Sequence, residues 1–180
     1  MNKPPAAQDF PLQPVSAVSW AVLVAVVAAI AIGVQFLPRH QATPLPLWVP
    51  AVLVIAVALP LLLARRRRIR LEGRELLIAA TLYTKRIAVD ALDLRCARII
   101  DLAEHTEYKP ALKTNGFNLP GFQAGHYRLR NRGKAFCLLT GRERVLLLPQ
   151  RDGGWILLSP EKPQALLDAL RGLADDAPRR

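Results

Sequence analysis

Val15 to Leu37 is 23 consecutive residues without a charged side chain, and Leu45 to Ala64 is another 20. No other feature narrows the possible folds so far. Written as helices at 1.5 Å per residue they measure about 34 Å and about 30 Å, against a hydrocarbon core of about 30 Å. The reading they give is a hairpin of two transmembrane α-helices, 15–37 and 45–64, behind a leader of residues 1–14. Pro46 and Pro50 fall in the first turns of the second span, and Pro60 inside it predicts a kink that lipid-facing helices tolerate. Trp20 and Trp48 stand near span ends, where indoles favour the interface. A cleaved signal peptide fits less well, because the first apolar run exceeds the usual 7–15 residues and its leader holds one Lys and four prolines.

Charge gives the hairpin a direction. The link from Pro38 to Pro44 offers Arg39 alone, whereas Arg65, Arg66, Arg67, Arg68 and Arg70 follow the second span. The positive-inside bias puts that run on the cytoplasmic side, with both termini, in the inner membrane of a cell. Neither span holds Asp, Glu, Lys, Arg or His, so a transport path through this chain alone is disfavoured. Residues 65–180 carry 23 of the 25 Lys and Arg and 13 of the 14 Asp and Glu, a net charge of +10. That change of solvent marks a domain at 65–174, long enough for one compact core, with a tail at 175–180. Cys96 and Cys137 lack CxxC spacing and read as reduced, buried thiols.

Within 65–174 the pattern is of short apolar runs divided by turn residues. Ile69–Leu71 and Glu75–Ala80 flank Glu72-Gly73-Arg74, and Leu82–Val89 and Leu94–Leu102 follow. Ala103 to Gln123 reads as a long polar loop. Ala124–Arg130, Ala135–Thr140, Val145–Pro149 and Trp155–Leu158 then recur at about ten-residue spacing, as in an antiparallel meander. Ser159-Pro160-Glu161 has the composition of a helix start. Leu166, Leu167, Leu170 and Leu173 make an apolar stripe at helical spacing. The expectation is about seven antiparallel strands closed by one C-terminal helix.

Several runs carry a family resemblance. They are Asn115-Gly116 with Leu119-Pro120-Gly121, Gly125-His126-Tyr127-Arg128-Leu129, Leu138-Leu139-Thr140, Val145 to Pro149, and Arg151 to Pro160. Over about residues 68–173 the chain resembles bacterial pleckstrin-homology (PH)-like domain membrane proteins, in which transmembrane helices precede a small barrel. The resemblance implies a mainly-β PH-like barrel with a capping helix. It implies no one activity, since a fold does not fix a function.

No GxSxG, HExxH or P-loop is present. His40, His105 and His126 are scattered. Glu104-His105-Thr106-Glu107 lacks a second His at ligand spacing and reads as a solvated loop, and His126 reads as structural. No catalytic residue, metal or cofactor is expected. Basic residues are the informative feature. The run at 65–70 reads first as a topology signal, each cation near an anionic leaflet adding about 1 kcal/mol. Lys85, Arg86, Lys109 and Lys113 are further cations. Arg128, Arg130 and Arg132, with Lys134 beyond, share one face if their strand continues. In the loop, Phe117, Leu119 and Phe122 either fold back on the barrel or offer a docking surface. The expected function is a membrane-anchored, non-enzymatic module binding a protein partner or anionic lipid. The alternative is an accessory subunit of a membrane complex that packs through its spans. Few aromatics and no known module argue against a nucleic-acid partner.

Overall fold

The computed structural model describes residues 8–14, 67–80, 83–119 and 121–176, with helical positions 21, 24–26, 28–30, 32, 52 and 55 between the first two segments. Two sheets pack face to face. In the first, β2 (Arg67–Glu72) and β3 (Glu75–Ala80) form a hairpin, and β4 (Tyr83–Ala88) adds beyond β3. Gly73, at φ 59°, turns the hairpin where an L side chain would be strained. Alternate residues point inward: Ile69 and Leu71 from β2, Leu76, Ile78 and Ala80 from β3, and Ile87 from β4 are all buried. The fourth member comes from the leader. β1 (Gln8–Phe10) pairs antiparallel with β2, setting Phe10 against Ile69, and Phe10 joins the main core.

The second sheet holds β5 (Arg98–Ile100), β6 (Pro110–Leu119), β7 (Phe122–Leu129), β8 (Lys134–Leu139), β9 (Val145–Pro149) and β10 (Trp155–Leu158). Their order is β5-β9-β10-β8-β7-β6. The central strands are buried on both faces, which is why they read as continuous apolar runs. Phe136, Leu138, Leu146, Leu148, Ile156 and Leu158 face the first sheet. Cys137, Leu139, Val145, Leu147 and Leu157 face the other way, under Ile100, Leu102 and Tyr108. Helix α1 (Pro163–Asp175) lays Leu166, Leu167 and Leu170 into the main core. Arg74 in the β2–β3 turn ties it down, donating to the Leu173 carbonyl at 2.8 Å and pairing with Asp90 at 2.7 Å.

Several expectations are corrected. Among the described residues no helix is long and apolar enough to cross a membrane. The spans expected at 15–37 and 45–64 fall for the most part outside the described residues, as does the Arg65-Arg66 pair. Uncharged length is only one requirement of a span; the other is about 20 residues in a single unbroken helix. The two-span hairpin, inner-membrane placement with cytoplasmic termini, and accessory-subunit role through spans lose their support together. The closing strands are not a simple meander either. β10 inserts between β8 and β9, parallel to β8 and antiparallel to β9. Spacing fixes strand length but not which neighbour a strand chooses.

Most of the expected loop 103–123 is strand. β6 pairs with β7 through two register shifts, around a turn at Gly121. Its glycine and asparagine content marks those irregularities rather than a loop: Gly116 and Gly125 lie so close that a Cβ on Gly125 would stand 2.5 Å from the Gly116 Cα. Helix α1 starts later than Ser159-Pro160-Glu161 suggests, with Pro163 in its first turn. Pro160 instead bridges Leu12, and Gln13 donates to the Ser159 carbonyl at 3.2 Å. Of the two thiols, Cys137 is buried and Cys96 exposed.

Candidate functional site

The two sheets part along one seam. β4 is the last strand of the first sheet and β6 of the second. The Tyr83 hydroxyl donates across the gap to Asn115 Oδ1. Beside that bridge lies a cleft of 620 Å³. Lys85 from β4 forms one wall and Thr114 from β6 another. His126 and Arg128 from β7, with Lys134 and Phe136 from β8, form the floor. The β9–β10 turn closes the end with Gln150, Asp152 and Gly154, beside Trp155.

Local structure aims these side chains. In β7, Phe122 and Ala124 point into the main core, and His126 and Arg128 continue that row past its edge. Tyr127 and Leu129 face the opposite side, where Tyr127 donates to the Phe117 carbonyl at 2.9 Å. Burial pushes the Tyr127 phenol up to about 12, which suits a structural hydrogen bond and not a titrating role. Residues 85 and 87 of β4 likewise share the inner face, Ile87 buried and Lys85 half-buried at the seam.

Lys85 donates to Gln150 Oε1 at 3.0 Å, and its ammonium stands 5.6 Å from the centre of the Phe136 ring. Partial burial lowers its pKa, against the opposing attraction of Asp152. His126 sets its ring edgewise against Phe136 at 5.0 Å and Tyr83 at 6.0 Å. Its pKa is lowered, first by desolvation and then by Lys85. Among the described residues none of Lys85, Arg128 and Lys134 makes an ion pair. Lys85, Arg128, Lys134 and one histidine therefore face a single carboxylate, Asp152. An anion entering would relieve that imbalance and favour the charged forms of Lys85 and His126.

The expected site residues separate. Arg128 lines the cleft, but β7 ends at Leu129, so Arg130 and Arg132 do not continue its face. Arg132 sits in the β7–β8 turn at φ 64°, and Arg130 turns to the other side of the sheet. Phe122 is wholly buried, and Phe117 packs on it edgewise with ring centres 6.0 Å apart. Leu119 ends β6 in register with Phe122. Both phenylalanines pack with the main core, Phe122 wholly and Phe117 in part. Of the basic run, Arg67, Arg68 and Arg70 lie in β2. Arg70 pairs with Asp9 at 2.7 Å and Glu72 at 3.2 Å. Arg67 lies 5.7 Å from the Phe122 ring centre, with its pKa lowered by burial. Arg68 is exposed.

Lys85, His126 and Lys134 complete the cleft, and the sequence reading gives none of them a role in it. The alternation His126, Arg128 was visible within one strand. The partners Lys85 and Asp152 come from strands and turns whose meeting depends on sheet order. Among the described residues no group of three His, Cys, Asp or Glu is placed to hold a metal ion.

A family model described as Bacterial PH domain matches residues 67–174, well over half of the chain. The match begins at β2 and ends in α1, so β1 lies outside it. No curated protein matches, and no solved structure does.

Proposed function

The chain belongs to the bacterial PH domain family, and from that premise we propose that it is a non-enzymatic binding module taking an acidic group of a partner protein in the seam cleft. The observation that carries this reading is the charge of the cleft. Lys85, Arg128 and Lys134 converge there without carboxylate partners among the described residues, around an apolar floor at Phe136. The site has what recognition needs: a partly desolvated ammonium, a planar guanidinium for bidentate pairing, and Thr114 and Gln150 as neutral hydrogen-bonding groups. Its electrostatic share gives specificity and on-rate more than raw affinity.

The test is a titration of the full chain with tri-glutamate, followed by amide shifts in nuclear magnetic resonance. Shifts clustered at Lys85, Thr114, His126 and Arg128 are expected, with Lys85→Gln/Arg128→Gln weakening binding by about tenfold. Shifts elsewhere, or an unchanged affinity in the double variant, overturn the reading. Vesicles containing phosphatidylserine form a second arm. Response to vesicles alone would replace the acidic protein by a lipid surface.

A further inference from the structure

A second cluster of cations lies away from the seam. Lys109, Arg130 and Arg142 line a groove of 430 Å³ whose floor includes Leu102 and Leu139. Both leucines belong to the cluster on the outer face of the six-stranded sheet. No Asp or Glu lines it, and among the described residues none of its three cations makes an ion pair. The backbone fixes where they stand. Arg130 donates its amide to the Lys109 carbonyl at 3.0 Å, and Leu102 donates to the Arg142 carbonyl at 2.9 Å.

The shape of this groove points to its occupant. Gln123, near the start of β7, and Arg130, just past its end, both line it. At about 3.3 Å per residue the strand between them measures about 23 Å. A point anion would not use both ends; an extended chain would. The groove also has a neighbour. Arg128 lines the seam cleft and Arg130 lines the groove, on opposite sides of the same strand end. Between them the β7–β8 turn exposes Arg132. Cations therefore stand in the cleft, at the turn and along the outer face, with Glu107 beside the turn, where its carbonyl accepts the Asn131 amide at 3.1 Å.

We propose that the groove lined by Lys109, Arg130 and Arg142 is a second binding site, which takes the continuation of the acidic polypeptide segment held in the seam cleft. This rests on the cleft reading for one end of the segment. The occupant is an extended Asp- or Glu-rich stretch of about ten residues, the length needed to leave the cleft, cross the turn and lie along the groove. Its carboxylates meet the cations at the rim, and its aliphatic stems lie on Leu102 and Leu139. Binding at both places links two weak contacts through one short tether, so affinity grows with segment length faster than with charge.

The experiment compares tri-glutamate with deca-glutamate on the full chain at fixed salt, by fluorescence anisotropy. Deca-glutamate is expected to bind at least about tenfold tighter than tri-glutamate. Arg130→Glu/Arg142→Glu should abolish that gain and leave tri-glutamate binding unchanged. Both residues are exposed, and circular dichroism checks that the variant keeps its fold. The charge-matched variant Arg86→Glu/Arg95→Glu, also at exposed positions, should keep the gain. An equal loss in both double variants would reduce the effect to net charge and overturn the proposal. So would deca-glutamate binding no tighter than tri-glutamate. If Lys85→Gln/Arg128→Gln weakens both peptides while the groove variant changes neither, the groove fails and the cleft stands. If the groove variant alone matters, the cleft reading fails instead.

Discussion

Phe10 is the residue through which the fold can be tested most directly. It lies far from the rest of the domain in sequence, yet only 7% of its surface is exposed and it packs in the main core. Replacing it with alanine removes a ring and leaves a cavity, a change that costs about 3–5 kcal/mol in well-packed cores. β1 has a single strand neighbour, β2, so the site can relax, and the lower end, about 3 kcal/mol, is expected. Urea slopes for small domains are about 1–3 kcal/mol per molar, which turns that loss into a midpoint lowered by about 1–3 M. The assay is urea unfolding of Phe10→Ala followed by tryptophan fluorescence, with Ile69→Ala, its partner in register, as the positive control. Leu112→Ala is the negative control, since Leu112 is 61% exposed. A Phe10→Ala midpoint close to wild type, with Ile69→Ala strongly lowered, would refute the docking of β1.

Four further outcomes are expected. Gly125→Ala should cost more than about 3 kcal/mol, because its φ of 118° is strained for alanine and the new Cβ would lie 2.6 Å from the Asn115 carbonyl oxygen; Gly73→Ala, with nothing within 4 Å of its Cβ, should cost about 1–2 kcal/mol, and thermal melts rank the two. Arg74→Met should cost about 1 kcal/mol after allowing for solvent exposure, and hydrogen exchange should quicken in the last turn of α1, where the Leu173 carbonyl loses its donor. His126 has a lowered pKa, so between its folded value and about 6.5 the unfolded chain binds the extra proton and stability falls as pH drops; tri-glutamate affinity should move oppositely, rising as pH falls and His126 joins Lys85, Arg128 and Lys134 against Asp152, and His126→Gln should flatten both profiles. A thiol reagent should modify Cys96 in the native protein and reach Cys137 only after unfolding, since Cys96 is exposed and Cys137 buried.

What the sequence discloses and conceals here has physical causes. β3, β9 and β10 coincide with apolar runs because turns at Gly73, Gly141 and Asp152-Gly153-Gly154 bound them, and such residues act locally. The stripe Leu166, Leu167 and Leu170 is legible for the same reason: helical periodicity needs no knowledge of the partner. β1 was not legible, because three residues of a proline-rich leader become a strand only through β2. The helix start was misplaced because Ser159 and Pro160 are taken up by Leu12 and Gln13. Of the site, Arg128 could be read from alternation. Its separation from Arg130 depends on where β7 stops, and strand ends are set by tertiary pairing. The two uncharged stretches were read as spans from hydropathy, tryptophans at their ends and flanking charge, and among the described residues no helix is long and apolar enough to cross a membrane.

The pairing of β1 with β2 has a kinetic consequence. Phe10 and Ile69 are neighbours in space with 58 residues between them in the chain, whereas β2 and β3 are joined by two. Closure entropy grows with sequence separation, so joining β1 to β2 costs more than joining β2 to β3. β1 should be the last strand to dock and the first to leave, its amides exchanging ahead of those in β3.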